Sequence, residues 1–395
     1  MAILLLLAAL VGHLALAAVL FNRLHARNIP IRICKLLTIL QLLFVVAVPP
    51  AMAYAIVRAG SDRWDELGWF RDLPWHGQVY GLACVLAGVG ASAWWAWGRV
   101  RRRPPAGVRF DRRRRVDLRR AHHGPTPSSN AHRALARLPG NQCLLLEVAE
   151  RGLELPRLPR ALDGLTIVQL SDFHFTGRIG KSYFRDVVRI SNEIEPDLVA
   201  ITGDVVDHAR YLDWIPQTLG ELTSRFGVYF ELGNHDVRAS KWGLRRAMVD
   251  CGMVDLGGQW LEREIRGEPV VLGGNELPWF GSGAALQRAL PSAAGKRPVR
   301  IALAHSPDQI GWARAYDVDL LLAGHTHGGQ ICLPVLGPVV TATRLGARYA
   351  GGTFHLPPTV LHVSRGVSAE IPLRFFCPAE LVKLSLHAIS PGPPR

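Results

Sequence analysis

Residues 165–174 read LTIVQLSDFH, an apolar run that passes directly into an aspartate and a histidine two positions apart. Short runs of aliphatic and β-branched residues bounded by polar residues are typical of buried strands. Because residues i and i+2 of an extended chain lie on the same side, Asp172 and His174 can bind one ion together. This stretch therefore predicts a buried strand over residues 165–170 that ends at a pair of metal-ligand side chains.

The same combination recurs four more times in the C-terminal half of the chain. Residues 198–201, 228–232, 299–304 and 320–323 also predict buried strands, and residues 183–195 and 242–251 predict helices. In turn, these strands are followed by Gly203-Asp204-Val205-Val206-Asp207, Gly233-Asn234-His235-Asp236, His305 and Gly324-His325-Thr326-His327. Sites in α/β proteins lie at the carboxyl ends of strands. The pattern predicts a layered α/β domain with one shared site at that edge.

The ordered series D-x-H, G-D-x-x-D, G-N-H-D, H, G-H-x-H resembles the motifs of the calcineurin-like metallophosphoesterases, over roughly residues 141–390. Two further segments, GHTHGGQ at 324–330 and VSRG at 363–366, are similar to membrane-associated bacterial members of that superfamily. The resemblance implies a metallophosphoesterase-type layered αββα sandwich, which we place at residues 141–395.

The resemblance also implies a two-metal centre, because every ligand position of the family is filled here. Asp172, His174 and His327 would hold one ion and Asn234, His305 and His325 a second, with Asp204 bridging them. A metal-bridging hydroxide would attack phosphorus, His235 would assist the leaving group, and Asp207 would orient His235. The family commonly works with Mn²⁺, and the donor set also suits Fe or Zn²⁺. No role follows from the sequence for Asp236.

The N-terminal quarter has a different character. Residues 1–21, 36–57 and 78–98 are uncharged for long enough to cross a bilayer, and they predict three transmembrane helices. Basic residues dominate the first loop, and they also follow immediately after the third apolar stretch. The positive-inside rule therefore places the first loop and the chain after the third stretch in the cytoplasm. We expect a multi-pass protein of the inner (cytoplasmic) membrane with a cytoplasmic catalytic domain. The alternative for the first stretch is a cleaved signal peptide, but it lacks a basic n-region.

The net charge of +14 is concentrated in one place. Residues 99–120 contain eleven arginines and two aspartates, a net charge of +9, whereas residues 121–395 have a net charge of only +2. The basic balance therefore does not indicate nucleic acid as a partner. We interpret residues 99–140 as an arginine-rich cytoplasmic neck and linker that contacts anionic membrane lipids. The six cysteines form no CxxC pair, which excludes a disulfide scaffold or a cysteine-rich zinc module.

Together these features favour a membrane-anchored phosphoester or pyrophosphate hydrolase. Membrane anchoring favours the hydrolysis of a lipid-linked substrate, such as UDP-2,3-diacylglucosamine or a phospholipid, because its headgroup lies at the membrane surface. Two alternatives stay open: a phosphodiesterase for soluble substrates such as cyclic nucleotides, and a non-catalytic membrane signalling or scaffold protein. Residues 277–281, LPWFG, form either an apolar rim of the site or a buried loop anchor. The sequence indicates no oligomeric state.

The predicted topology is testable with reporter fusions. A reporter joined after residue 30 or residue 110 should be active on the cytoplasmic side, and one joined after residue 65 on the opposite side, because the basic loops stay inside. Paired phosphatase and fluorescent-protein fusions at each position measure this. The reverse pattern would contradict the orientation.

Overall fold

The computed structural model describes residues 2–58, 68–71, 73–100, 107–120, 129–281 and 297–389. The chain separates into two compact units, Met1–Pro104 and Pro105–Arg395. The predicted basic residues 101–103 and residues 121–128 of the predicted linker lie outside the described residues.

The first unit contains long apolar helices: α1 (Ala2–His25), α2 (Ile31–Arg58) and α4 (Trp75–Val100), with the short α3 (Gly68–Arg71) before α4. Their apolar windows have mean hydropathies of 2.7, 2.2 and 1.5, and all three long helices could cross a membrane. Each extends a few residues beyond the predicted stretch, and α2 continues through Pro49 and Pro50. Helices α1 and α4 pack closely, since a Cβ atom on Gly12 would lie 1.7 Å from the backbone oxygen of Cys84.

The second unit is built on two mixed sheets. The seven-stranded sheet has the order β1-β2-β13-β3-β4-β5-β6: β1 (Val108–Asp117), β2 (Leu145–Leu155), β13 (Ala379–Ala388), β3 (Leu165–Leu170), β4 (Leu198–Thr202), β5 (Val228–Glu231) and β6 (Val254–Asp255). The six-stranded sheet has the order β11-β12-β10-β9-β8-β7: β7 (Trp260–Ile265), β8 (Glu268–Gly274), β9 (Val299–Leu303), β10 (Leu320–Ala323), β11 (Gly352–Leu356) and β12 (Thr359–Val363). The helices of this unit are α5 (Asn130–Ala136), α6 (Lys181–Asn192), α7 (Lys241–Asp250) and α8 (Ile310–Ala315).

Alternating side chains of the strands enter different hydrophobic layers. Ile167 of β3 and Leu322 of β10 belong to the core that lies between the two sheets. Val168 faces the other way, into a core shared with α6 and α7, and Leu321 faces a smaller core shared with α8. Since period-two alternation puts neighbouring residues on opposite faces, the layer order is helix, sheet, sheet, helix. The predicted αββα sandwich and the three N-terminal apolar helices are confirmed.

The arginine-rich segment differs from the expectation. We predicted a neck and linker at 99–140, but residues 108–117 form β1, which pairs antiparallel with β2 at the edge of the seven-stranded sheet. Arg113 and Arg115 lie 3.5 and 3.3 Å from the carboxylate of Glu147 on β2. This long-range pairing neutralises part of the arginine charge and makes the extended conformation favourable. The second unit therefore includes residues that precede 141.

Candidate metal centre

The predicted site residues follow parallel strands of both sheets. Strands β3, β4 and β5 run parallel to one another in the first sheet, and β9 and β10 run parallel in the second. Each of these five strands ends at one of the predicted motifs. Gln169 of β3 donates hydrogen bonds to Thr202 Oγ1 on β4 and to the carbonyl oxygen of Ala323 on β10, so the two sheets are joined next to the motifs.

One group of side chains brings together Asp172, His174, Asp204 and His327, whose nearest ligand atoms lie within 4.8 Å of one another. His174 Nε2 lies 3.2 Å from His327 Nε2 and 3.7 Å from Asp204 Oδ2. His327 Nε2 lies 3.4 Å from Asp172 Oδ1. Four ligand atoms at these separations can surround a single divalent ion.

A second group shares Asp204 with the first and comprises Asp204, His305 and His325. His305 Nε2 lies 3.1 Å from Asp204 Oδ2, 3.1 Å from Asn234 Oδ1 and 3.2 Å from His325 Nδ1. The structure thus places the seven predicted ligand residues in two adjacent groups that share one carboxylate.

The second ring nitrogen of each histidine supports a ligand role. His174 Nδ1 lies 2.8 Å from Asp207 Oδ2, and the other three rings hydrogen-bond backbone oxygens: His305 Nδ1 with Thr202, His325 Nε2 with Ala342 and His327 Nδ1 with Ser368. An N–H that donates to such an acceptor leaves the opposite nitrogen with a free lone pair, which is how metal-binding histidines are oriented. The residues present therefore fit a divalent-metal centre.

The electrostatics of the two groups favour positive charge. Burial opposes the imidazolium form, yet Asp207, Asp204 and Asp172 raise the pKa of His174 to about 9. In the same way, despite burial, Asp204 raises the pKa of His305 to about 10. Burial and the charge on His305 lower the pKa of His325 to about 3. The carboxylates thus favour positive charge in the site. Protons on His174 and His305 supply that charge, and bound metal ions would displace those protons.

The ligand loops adopt an unusual backbone. Five of the seven predicted ligands have positive φ angles: Asp172 (57°), His174 (47°), Asp204 (54°), His325 (71°) and His327 (50°). Non-glycine residues in this region cost about 1–3 kcal/mol each and concentrate at functional sites. The surrounding fold must hold these residues in this conformation.

Gly324 shows how tightly these loops are packed. A Cβ atom at this position would lie 1.9 Å from Ser171 Oγ and 2.6 Å from Asp172 Oδ2. Ser171 Oγ in turn donates a hydrogen bond of 2.5 Å to Asp172 Oδ2. Only glycine permits the strand end that carries His325 to approach the strand end that carries Asp172.

His235 belongs to a third group of side chains that could hold a metal, with His174 and Asp207, whose ligand atoms lie within 4.8 Å of one another. Its Nδ1 lies 2.5 Å from Asp207 Oδ1, while the other oxygen of Asp207 contacts His174. The backbone N–H of His235 donates to Asp204 Oδ1 at 2.7 Å, and its side chain is 12% exposed. Asp207 is therefore in contact with His235, as its predicted role requires, and it also contacts the predicted ligand His174.

Asp236 has a role that the sequence did not reveal. It is fully buried, and its carboxylate accepts hydrogen bonds from four backbone N–H groups, those of Asp204, Val205, Val206 and Gly233, at 2.8–2.9 Å. These bonds tie the loop after β4 to the loop after β5. Asp236 is thus a positioning residue for Asp204 and Asn234.

Two other residues lie near the site. The sequence predicts no role for Arg374, and it leaves two roles open for the segment that contains Trp279. Arg374 is fully buried and donates to the carbonyl oxygens of His327 and Ser368, at 3.2 and 2.5 Å. No local pattern marks the contact with His327, because His327 lies 47 positions earlier in the chain. The Trp279 ring lies 4.9 Å from the His325 ring and 5.6 Å from the His305 ring, centroid to centroid. Residues 277–281 therefore border the site, whereas residues 282–296 lie outside the described part of the chain.

With this geometry in place, comparison with known proteins identifies the family. The calcineurin-like phosphoesterase family model matches residues 165–329, which contain all seven predicted ligands and His235. Residues 165–329 form a calcineurin-like phosphoesterase domain, and the metallophosphoesterase and phosphodiesterase relatives described below indicate a metal-dependent phosphoester hydrolase.

Three relatives illustrate the range of similar proteins. An uncharacterized metallophosphoesterase, YkuE of Bacillus subtilis, is 29% identical over 62% of this chain and 86% of its own length. A transmembrane protein with metallophosphoesterase domain from Bos taurus is 33% identical over 60% of this chain, and the match spans only 56% of the bovine protein. The phosphodiesterase YaeI of Escherichia coli is 28% identical over 56% of this chain and 81% of its own. The bovine relative is consistent with a membrane-associated branch.

Substituting Asp204 tests whether one carboxylate serves both groups. We expect Asp204→Asn to remove most of the bound metal, because an amide replaces the anionic oxygen that lies near His174 and His305. Metal content of the full-length purified protein is measured by plasma mass spectrometry. The control Asp213→Asn changes an exposed carboxylate and should retain the metal. Unaltered metal content in Asp204→Asn would contradict the shared-ligand geometry.

Proposed function

We propose that the chain is a membrane-anchored hydrolase of phosphoester or pyrophosphate bonds with a centre of two divalent metal ions. The observation that carries the proposal is the position of Asp204 Oδ2, 3.7 Å from His174 Nε2 and 3.1 Å from His305 Nε2. A single oxygen between two groups of ligands suits a bridging ligand. The family membership of residues 165–329 supports the same chemistry.

The ligand assignment follows the two groups. One ion would be held by Asp172, His174 and His327, the other by Asn234, His305 and His325, with Asp204 common to both. When bound, two such ions would supply an activated water and neutralise the phosphoryl oxygens. The nitrogen- and oxygen-rich donor set suits Mn²⁺, Fe or Zn²⁺, of which we favour Mn²⁺.

We infer that His235 acts on the substrate rather than on a metal ion. Its Nδ1 is fixed by Asp207, so its Nε2 is available to donate a proton or a hydrogen bond to the departing oxygen. The neighbouring Arg238 lies 3.5 Å from the same Asp207 oxygen and is more exposed. Asp207 thereby couples the orientation of a proposed ligand, His174, to that of the proposed acid, His235.

We infer a lipid-linked phosphoester as the substrate, of the UDP-2,3-diacylglucosamine or phospholipid kind. The support is indirect: three apolar helices that could cross a membrane precede the catalytic unit. Seven residues separate the end of α4 at Val100 from the start of β1 at Val108, and an extended chain of that length reaches roughly 25 Å. The catalytic unit is thus restrained to a membrane surface, which we take to be the cytoplasmic face of the inner membrane.

Hydrolysis and metal binding should separate in a His235 variant. We expect His235→Ala to lower kcat on a generic diester such as bis-p-nitrophenyl phosphate by about 10²–10⁴-fold, because a positioned acid is lost. The metal content should remain, because His235 is outside the proposed ligand set. Steady-state kinetics and metal analysis on the same full-length preparation measure both quantities. A variant as active as the unaltered protein would remove His235 from the mechanism, and background activity in both proteins would favour the scaffold alternative.

The substrate proposal is tested by competition between two classes. With Mn²⁺ supplied, the full-length protein in lipid nanodiscs should release UMP or another phosphate-containing headgroup from lipid substrates at a higher kcat/KM than it hydrolyses cyclic nucleotides. Headgroup release is followed by mass spectrometry, with Asp204→Asn as the inactive control. Preference for cyclic nucleotides, with no headgroup release, would establish the soluble-substrate alternative.

A further inference from the structure

An exposed apolar surface lies next to the metal centre. Ile331, Leu333 and Leu336 are 46, 46 and 49% exposed, and Ile371 and Phe376 are 48 and 64% exposed. We call these five residues the apolar patch. Large apolar side chains that are grouped in this way on a surface mark interaction sites more often than isolated ones do.

The two segments of the patch are held together by the backbone. Residues 331 and 375 form a parallel bridge, and the N–H of Cys332 donates to the carbonyl oxygen of Phe375 at 2.9 Å. Cys332 is buried between exposed Ile331 and Leu333, so the last two point to one side of the chain. Gln330 Nε2 also donates to the carbonyl oxygens of Ile371 and Leu373. The two segments that carry the patch residues are therefore held side by side by hydrogen bonds.

The patch is also connected directly to the proposed ligands. Ile331 lies four positions after His327 along the chain. From the other segment, the buried guanidinium of Arg374 donates to the carbonyl oxygen of His327. A molecule that binds to the patch therefore lies close to the candidate metal centre.

A third segment extends the patch with basic residues. Asn141 Nδ2 donates to the carbonyl oxygens of Leu135 and Pro372, so the end of α5 packs against the segment that contains Ile371. In this region Arg133, Arg137 and Leu138 are exposed. Apolar side chains bordered by arginines fit the boundary between acyl chains and anionic headgroups.

We propose that the apolar patch, with Arg133 and Arg137 at its border, docks on the lipid bilayer and holds the metal centre at the level of the headgroups. The inference rests on the proposed membrane anchoring and adds to it a specific contact surface. The short connection between α4 and β1 keeps the catalytic unit near a bilayer. Arg133 and Arg137 give the border next to α5 a charge that attracts anionic lipid, and Glu370 beside Ile371 pairs with Arg178 and Arg238. A second copy of the chain is the competing occupant.

Photo-crosslinking of the full-length protein tests the docking. The protein is placed in nanodiscs that contain anionic phospholipid and a phospholipid with a diazirine in its acyl chain. After illumination, mass spectrometry locates lipid adducts. We expect adducts on residues 331–337 and 371–376, and an at least fivefold decrease there in Leu336→Glu, because a carboxylate resists entry into the bilayer. The control Val249→Glu alters an equally exposed apolar residue, 48% against 49%, on α7 and should leave the adducts unchanged.

The outcomes separate docking from catalysis. No adducts on either segment, an equal yield in Leu336→Glu, or protein–protein crosslinks between two copies at these residues would each overturn the docking proposal. Leu336→Glu should hydrolyse a soluble diester as fast as the unaltered protein, which confirms that the variant is folded. If adducts form but no phosphoester is hydrolysed by either protein, the docking is supported and the proposed function fails.

Discussion

The arrangement of the site depends on the fixed position of one buried carboxylate. Both carboxylate oxygens and the backbone N–H of Asp204 have partners. The N–H donates a hydrogen bond to Asp236, and Oδ1 accepts one from the backbone N–H of His235. The second oxygen, Oδ2, lies near His174 and His305. Its backbone is held at a positive φ of 54°. Such a conformation persists only where neighbouring contacts determine it completely. The contacts come from both sheets, so the sandwich as a whole sets the spacing of the two ligand groups.

Much of this arrangement was predictable because its signals are local. The five parallel strands that lead into the motifs were predicted to within one residue at each end, since each is a short apolar run bounded by polar residues or glycine. Residue types that bind metals follow these apolar runs closely, and sites in α/β folds lie at the carboxyl ends of the strands. Asp172 and His305 lie far apart in the chain, yet they could be grouped without coordinates because each directly follows a predicted strand.

The features that escaped prediction depend on partners distant in sequence. Asp236 binds the backbone of residues about thirty positions earlier, and Arg374 binds the carbonyl oxygen of His327, 47 positions earlier. Strand β1 is the clearest case, because four consecutive arginines, 112–115, have no apolar alternation that would predict a strand. Its conformation depends on pairing with β2, including the buried carboxylate of Glu147. Local patterns carry no information about such partners.

The position of β1 at the sheet edge has a consequence for neighbouring molecules. An edge strand presents unpaired backbone groups that could template the addition of a strand from another chain, and charged side chains are a common protection against this. Residues 112–115 are all exposed along that edge. Proteins confined to two dimensions meet one another often and in similar orientations. The row of guanidinium groups would make two such edges repel, which would keep adjacent copies from fusing their sheets into a continuous ribbon.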